Sequence, residues 1–107
     1  WQVIFAPRAA RDLELAVGYV ARHAGAEIAE RFGLRLLEKA LSLASFPERG
    51  RIVPELGPPF REIIHRSYRI VYRVSETRVE VVRFWHAARG APQIDSDEFR
   101  ESGTEER

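Results

Sequence analysis

The spacing of apolar residues changes once along the chain, from a helical period in the first half to a strand period in the second. Residues 1–5 are strand formers, and apolar positions then recur every three or four residues, which predicts a helix over residues 7–23. Gly25 interrupts the pattern, and a second apolar stripe predicts another helix over residues 26–45. This second stripe is wide, so we expect that helix to be covered on more than one side.

The second half of the chain reads as a loop followed by three strands. Residues 47–59 hold four prolines and two glycines, which is typical of a surface connection. From Phe60 onward the period becomes two, and it predicts strands at residues 61–65, 68–74 and 78–85. Because only three residues separate the last two strands, we expect them to form an antiparallel hairpin.

This order of elements predicts one α+β domain over residues 1–93. It has an N-terminal strand, a helical hairpin and a three-stranded antiparallel sheet (β-α-α-β-β-β), with the helices packed on one sheet face. In the middle strand, alternation directs one set of side chains to the helices: Tyr68, Ile70, Tyr72 and Val74. It directs Arg69, Val71 and Arg73 to the opposite face, which we expect to be an open cationic surface. Residues 94–107 are predicted to be a flexible acidic tail.

Charge is distributed unevenly, and the overall net charge of +1 conceals this. Residues 49–89 hold nine arginines and four glutamates, whereas residues 95–107 hold six acidic residues and two arginines. A guanidinium group binds phosphates and carboxylates through two parallel hydrogen bonds. The basic sheet therefore indicates an anionic macromolecular partner, and the acidic tail is a candidate to screen part of that sheet.

Composition narrows the class of protein further. With 107 residues, the chain is long enough for one domain with its own core. It contains no cysteine, which excludes disulfides and thiolate chemistry, and no apolar run approaches the roughly 18 residues of a membrane span. No signal peptide is visible. We expect a cytoplasmic protein that uses no cofactor, no metal and no membrane.

Short segments spread over residues 2–92 together resemble the RelE/ParE superfamily of bacterial toxins from type II toxin–antitoxin systems. The matching segments are Ala9 with Asp12-Leu13, Pro47 with Gly50-Arg51, Val53-Pro54-Glu55-Leu56, Arg61-Glu62-Ile63, Tyr68-Arg69-Ile70-Val71-Tyr72-Arg73-Val74 and His86-Ala87-Ala88-Arg89. The resemblance implies a growth-arresting toxin that a cognate antitoxin neutralises in a hetero-oligomeric complex. It also implies one of two targets. ParE-like members inhibit DNA gyrase, and RelE-like members cut mRNA in the A site of the ribosome.

Cutting RNA without a metal requires a base for the 2′-hydroxyl, a cation for the developing phosphorane charge and an acid for the leaving oxygen. The resemblance implies that Arg61, Arg69 and Arg89 occupy the catalytic positions of RelE-like members. Arginine is a poor base because it is almost never deprotonated. His86 is therefore the candidate for proton transfer.

The same candidates have structural alternatives. Arg69 could instead form an intramolecular ion pair with Glu62 or Glu80 on a neighbouring strand. His86 could cap the last strand through a hydrogen bond to the backbone. His65 reads as a solvated turn residue at the end of a strand.

Two departures from the RelE-like pattern favour the ParE-like branch. Ile63 stands where RelE-like members carry a second basic residue, and Asp95 stands where they carry a tyrosine. The His86-Ala87-Ala88-Arg89 ending and the loop with Gly50-Arg51 and Pro54-Glu55-Leu56 also resemble ParE-like members, so the resemblance implies a non-enzymatic inhibitor of DNA gyrase. A ribosome-dependent, metal-independent endoribonuclease is the alternative, and a non-toxic nucleic-acid-binding module is a further one. The predicted partner-binding residues are Arg61, Arg69, Arg73, Arg83 and Arg89.

Overall fold

The computed structural model describes residues 1–94, and its elements follow the predicted order. In chain order they are β1 (Gln2–Phe5), α1 (Pro7–Ala24), α2 (Ala26–Leu41), a 3₁₀ turn (Ser42–Ala44), β2 (Arg51–Ile52), β3 (Phe60–His65), β4 (Tyr68–Ser75), β5 (Arg78–His86) and a second 3₁₀ turn (Ala87–Arg89). The predicted α+β class is confirmed. None of the helices in these 94 residues is both long and apolar enough to cross a bilayer. The predicted acidic tail covers residues 94–107, and all of it except Ile94 lies outside the described residues.

The sheet has five strands in the order β1-β5-β4-β3-β2. β1 runs parallel to β5, and the other three pairs are antiparallel. The predicted three-stranded antiparallel sheet is thus extended by one strand at each edge. Sequence analysis missed β2 because two residues inside a loop rich in proline and glycine carry no readable alternation.

The two helices form an antiparallel hairpin that packs on one face of the sheet. Pro7 opens α1, and Gly25, with φ of 96°, separates it from α2. The helices approach closely at Gly33, where an added Cβ would lie 2.8 Å from Cγ2 of Val17. A larger residue at this position would force the helices apart.

The main core lies between the helices and the sheet. Its buried members come from both layers: Ala9, Leu36, Ala40, Leu43, Ile63, Ile70, Tyr72, Val79, Val81 and Phe84. The hydroxyl of Tyr72 accepts a hydrogen bond of 2.9 Å from the backbone N–H of Gly50, and burial raises the pKa of this phenol. This bond ties the loop before β2 to the core, and the predicted inward orientation of Tyr72 is confirmed.

The expectation of an open second sheet face is wrong, because a smaller apolar cluster covers that face. Buried Val53, Phe60, Val71 and Val82 form it, and Leu56 and Ile94 pack against it. A bulge in β5 supplies one member: Val71 pairs with Arg83 and Tyr72 with Val81, so Val82 has no partner in the ladder. The proline-rich loop therefore acts as a lid over this face, and it is more than a surface connection.

Candidate functional site

Arg69 lies on the second sheet face, but it is buried and bound by two glutamates. Its Nε donates to Oε1 of Glu62 at 2.6 Å, and its Nη2 donates to Oε1 of Glu55 at 2.7 Å. Glu62 is itself buried and also accepts from Nε of Arg51 at 2.7 Å. These bonds raise the pKa of Arg69, and the hydrogen bond from Arg69 lowers the pKa of Glu55. For Arg69, the structure therefore shows the intramolecular ion pair with Glu62 that was the alternative to partner binding.

Arg73 and Arg83 are also buried in ion pairs. Nη2 of Arg73 lies 2.7 Å from Oε1 of Glu80, which is its cross-strand neighbour. Nε of Arg83 donates to Oδ2 of Asp12 in α1 at 2.7 Å, and its Nη1 donates to the carbonyl of Gln93. Arg69, Arg73 and Arg83 retain only 8%, 6% and 2% of their accessible surface. The expected open cationic surface on these strands is therefore wrong, because internal carboxylates neutralise it.

Arg61 and Arg89 are more accessible than the other three arginines of the predicted set. Nη1 of Arg61 donates to the carbonyl of Gly50 at 2.7 Å, so this side chain supports the loop before β2. Arg89 is exposed, and its guanidinium lies 4.1 Å from the ring centroid of Trp85. Trp85 in turn donates from Nε1 to the carbonyl of Gly90 at 3.0 Å. A cation above the face of an indole is held there by the ring quadrupole.

His86 caps the 3₁₀ turn that follows β5. Its Nδ1 accepts a hydrogen bond of 3.1 Å from the backbone N–H of Ala88, and its ring packs edge-on against Tyr68 at 5.0 Å between centroids. His86 thus makes the backbone hydrogen bond that was its structural alternative to proton transfer. While Nδ1 accepts this bond, the neutral ring carries its proton on Nε2, so Nε2 is a hydrogen-bond donor and His86 could act as a base only after the cap opens.

The four candidate catalytic residues are not assembled at one point. Arg61 shares the helix-facing side of β3 with Ile63, whereas Arg69 lies on the other side with Glu62. Arg61 pairs with Tyr72 and His86 pairs with Tyr68, which places them about 13 Å apart along β4. Within residues 1–94, no group of three or more histidine or acidic residues is placed to hold a metal ion.

A second group of cations lies on the outer side of α2, a helix for which the sequence pattern predicts only an apolar stripe. We call it the basic cleft, and its members are Arg31, Arg35, Lys39, Arg49, His65 and Arg66. It consists of two adjoining depressions of about 440 Å³ each, which share Arg35 and His65. The signal in the sequence was the four-residue spacing of Arg31, Arg35 and Lys39, which aligns side chains on one helix face.

His65 reports the electrostatic character of the basic cleft. Burial lowers the pKa of its imidazole, and the positive charges of Arg66, Lys39 and Arg35 lower it further. The prediction that His65 is only a solvated turn residue is therefore incomplete, because the side chain lies between the end of β3 and the cations of α2.

An apolar groove runs between the two helices on the opposite side of α2. The groove has a volume of about 590 Å³ and is lined by Phe5, Ala10, Leu13, Glu14, Val17, Gly18 and Leu37. Leu34 and Leu41, about one turn to either side of Leu37, are 52% and 44% exposed. Exposed leucines beside an apolar groove are typical of a protein interface.

Comparison with known proteins matches the chain to toxins named for both branches, ParE and RelE. Residues 3–90 match the sequence profile described as the ParE toxin of the type II toxin–antitoxin system parDE. A curated relative, Toxin RelE2 of Caulobacter vibrioides, is 38% identical over 89 residues, which are 82% of this chain and 97% of the relative.

Two solved structures are similar to this fold. The chromosomal ParDE toxin–antitoxin system of P. aeruginosa contains a chain that superposes with a TM-score of 0.71 at 20% identity, over 79% of this chain and 94% of that one. The toxin–antitoxin complex RelBE2 of Mycobacterium tuberculosis contains one that superposes with a TM-score of 0.60 at 25% identity, over 80% and 96%.

Proposed function

The chain belongs to the ParE toxin family of the RelE/ParE superfamily, and from this premise we propose that it arrests bacterial growth by binding DNA gyrase. It is the toxin of a type II toxin–antitoxin system, and a cognate antitoxin neutralises it in a hetero-oligomeric complex. The geometry of the candidate catalytic residues supports the choice of gyrase over mRNA.

The separation of those residues is the observation that carries the proposal. Arg61 and Arg69 lie on opposite faces of the sheet, and the guanidinium of Arg69 already binds two carboxylates. Rupture of the Arg69 pairs to free a phosphate ligand would leave the buried carboxylate of Glu62 with only the exposed Arg51 as partner, at a cost of about 3–5 kcal/mol. A toxin that acts by binding its target needs no proton-transfer set, and this geometry supports such a toxin.

We place the antitoxin in the apolar groove between α1 and α2. Antitoxin segments that fold on binding must bury apolar surface to offset the loss of conformational entropy. The groove offers that surface, and its flanks, Leu34 and Leu41, extend it along about two turns of α2. An amphipathic helix with apolar residues at three- and four-residue spacing fits such a groove.

One pair of assays tests the choice of target. The purified toxin is added to a gyrase supercoiling reaction, and separately to translating ribosomes whose mRNA is mapped for cuts. We expect supercoiling to be inhibited, the inhibition to be reversed by the antitoxin, and no cuts phased with the codons. Phased cuts together with unaffected supercoiling would overturn the proposal.

A ribosome-dependent endoribonuclease is the second candidate, and the 38% identity with Toxin RelE2 favours it. In that case the cap would open, His86 would take the proton of the 2′-hydroxyl and return it to the leaving oxygen, and Arg61 and Arg89 would hold phosphate, joined by Arg69 if its ion pairs opened. His86→Ala separates the two candidates, because it would abolish mRNA cleavage and leave gyrase inhibition intact. Growth arrest on expression of the lone chain is expected from either candidate, and its absence would count against both.

A further inference from the structure

We infer that the basic cleft on the outer side of α2 binds the phosphate groups of a nucleic-acid strand. The inference goes beyond the proposed function, because it requires neither gyrase nor catalysis. It concerns a different surface from the arginines of the sheet, which internal carboxylates neutralise.

The cations of the cleft form a linear array. Arg31, Arg35 and Lys39 follow one another at four-residue intervals, so each step advances by about 6 Å along α2. Arg49 and Arg66 flank the array from the loop before β2 and from the β3–β4 turn. Three elements that are distant in sequence therefore direct cations to one surface.

None of these five cations forms an ion pair with another residue of the described part of the chain. Arg49 donates to the hydroxyl of Ser42, and Glu38 is the one acidic side chain that lines either depression. Like charges four residues apart on a helix repel each other and destabilise it slightly. Two such repulsive pairs lie along α2: Arg31 with Arg35, and Arg35 with Lys39.

The lining of the cleft favours nucleic acid over an acidic protein segment. Ile28 and Phe32 help to line the depression around Arg31 and Arg66, but the other depression is lined by polar and charged residues alone: Arg35, Glu38, Lys39, Ser42, Arg49 and His65. A protein segment that folds on binding would bury little apolar surface there. The apolar groove between α1 and α2 offers such a segment the apolar surface that this depression lacks. Leu37 lines the groove and lies two residues from both Arg35 and Lys39, about 200° around the helix.

Phosphodiesters do not require apolar burial, and arginine forks match phosphate oxygens. Binding of this kind releases counterions, so the affinity falls steeply with salt. Because both DNA and RNA present the same phosphate chemistry, the test includes both.

The test measures binding of the full chain, purified free of antitoxin, to short fluorescein-labelled duplex DNA, single-stranded DNA and RNA by anisotropy over a range of salt concentrations. For Arg35→Gln/Lys39→Gln we expect about a tenfold loss of affinity at low salt, and a salt slope reduced by about two. The arm with the tightest binding identifies which nucleic acid the cleft prefers.

Arg11→Gln/Arg22→Gln is the matched control, because it removes two exposed charges from α1 and lowers the net charge equally. We expect it to change affinity by less than about twofold. Circular dichroism melting checks that both variants are folded. Equal losses in the two variants would show attraction by overall charge and would overturn the inference.

His65 supplies a second readout that folding alone would not move. It faces the charged groups of both depressions: Arg31, Arg35, Glu38, Lys39, Arg49 and Arg66. A bound polyanion offsets the surrounding positive charge, so the pKa of His65 should rise when nucleic acid is added. An unchanged NMR titration of His65, or binding of polyglutamate with no binding of nucleic acid, would overturn the inference.

Discussion

Arginines serve opposite purposes in the sheet and on α2. Arg69, Arg73 and Arg83 are buried, and each forms an ion pair with a carboxylate of another element or strand. Arg31 and Arg35 are exposed, and neither forms an ion pair within residues 1–94. The buried guanidinium groups hold strands, loop and helix together, and the exposed ones leave their charge available to a partner. A count of arginines per segment therefore does not locate a binding surface, because the carboxylates around each one decide its role.

The largest expected effect comes from removing a buried arginine. Arg69→Met leaves the buried carboxylate of Glu62 with only the pair to Arg51, which is largely exposed. We expect the free energy of unfolding, measured with urea at neutral pH, to fall by about 3–5 kcal/mol.

Arg35→Met is the matched control, and it should change the free energy of unfolding by less than about 0.5 kcal/mol. Similar losses in Arg69→Met and Arg35→Met would contradict the division of the arginines into two classes.

The second-largest expected effect is a partial recovery of the free energy of unfolding when both members of the buried Arg69–Glu62 pair are replaced. Arg69→Met/Glu62→Met leaves no buried charge unpaired, and similar substitutions of buried ion pairs by apolar residues are often neutral. We expect the double variant to be about 2 kcal/mol more stable than Arg69→Met alone. A double variant whose loss equals the sum of the two single losses would show that the residues do not interact.

Acid should weaken the same network. Arg69 lowers the pKa of Glu55 from its ordinary value of 4.5, so this carboxylate stabilises the fold above pH 4.5, and the contribution is lost as pH falls through the lowered pKa. We expect the stability difference between the wild type and Arg69→Met to shrink over that range. Urea unfolding at a series of acid pH values measures it, and a difference that stays constant with pH would refute the assignment.

The smallest effect concerns His65 in the basic cleft. The pKa of His65 in the folded chain is lowered from 6.5, because the fold disfavours the protonated imidazole. The stability that comes from a neutral His65 is therefore fully present above pH 6.5 and is lost as pH falls through the lowered pKa. Arg35→Gln removes one repulsive charge and should raise the pKa of His65, whereas burial, the larger cause, remains. NMR titration of the imidazole measures the shift, and Arg11→Gln should leave it unchanged.

The sequence predicted the elements well because their signals are local. The spacing around Leu13 and Leu36 marked both helices, and Gly25 marked the break between them. The alternation from Tyr68 to Val74 marked the strand whose aromatic side faces the core. The second apolar cluster was missed, because it depends on a loop that folds over the sheet and on the bulge at Val82.

The candidate site was harder to predict because its neutralising partners are distant in sequence. Asp12 lies 71 residues from its partner Arg83, and Glu55 lies in a loop 14 residues before Arg69. Alternation shows on which face an arginine lies, and it does not show which carboxylate meets it there. The basic cleft was missed for the same reason, since His65 and Arg66 approach α2 only in the folded chain.

The pairing of β1 with β5 sets the order in which translation can complete this toxin. Within the described sheet β1 contacts only β5, which includes Arg83, the partner of Asp12. The residues of β1 must therefore wait until β5 has been translated, a delay of several seconds at about 5–20 residues per second. A chain that stalls before β5 has no neighbour for its first strand. The sheet can therefore be completed only after β5 has been translated.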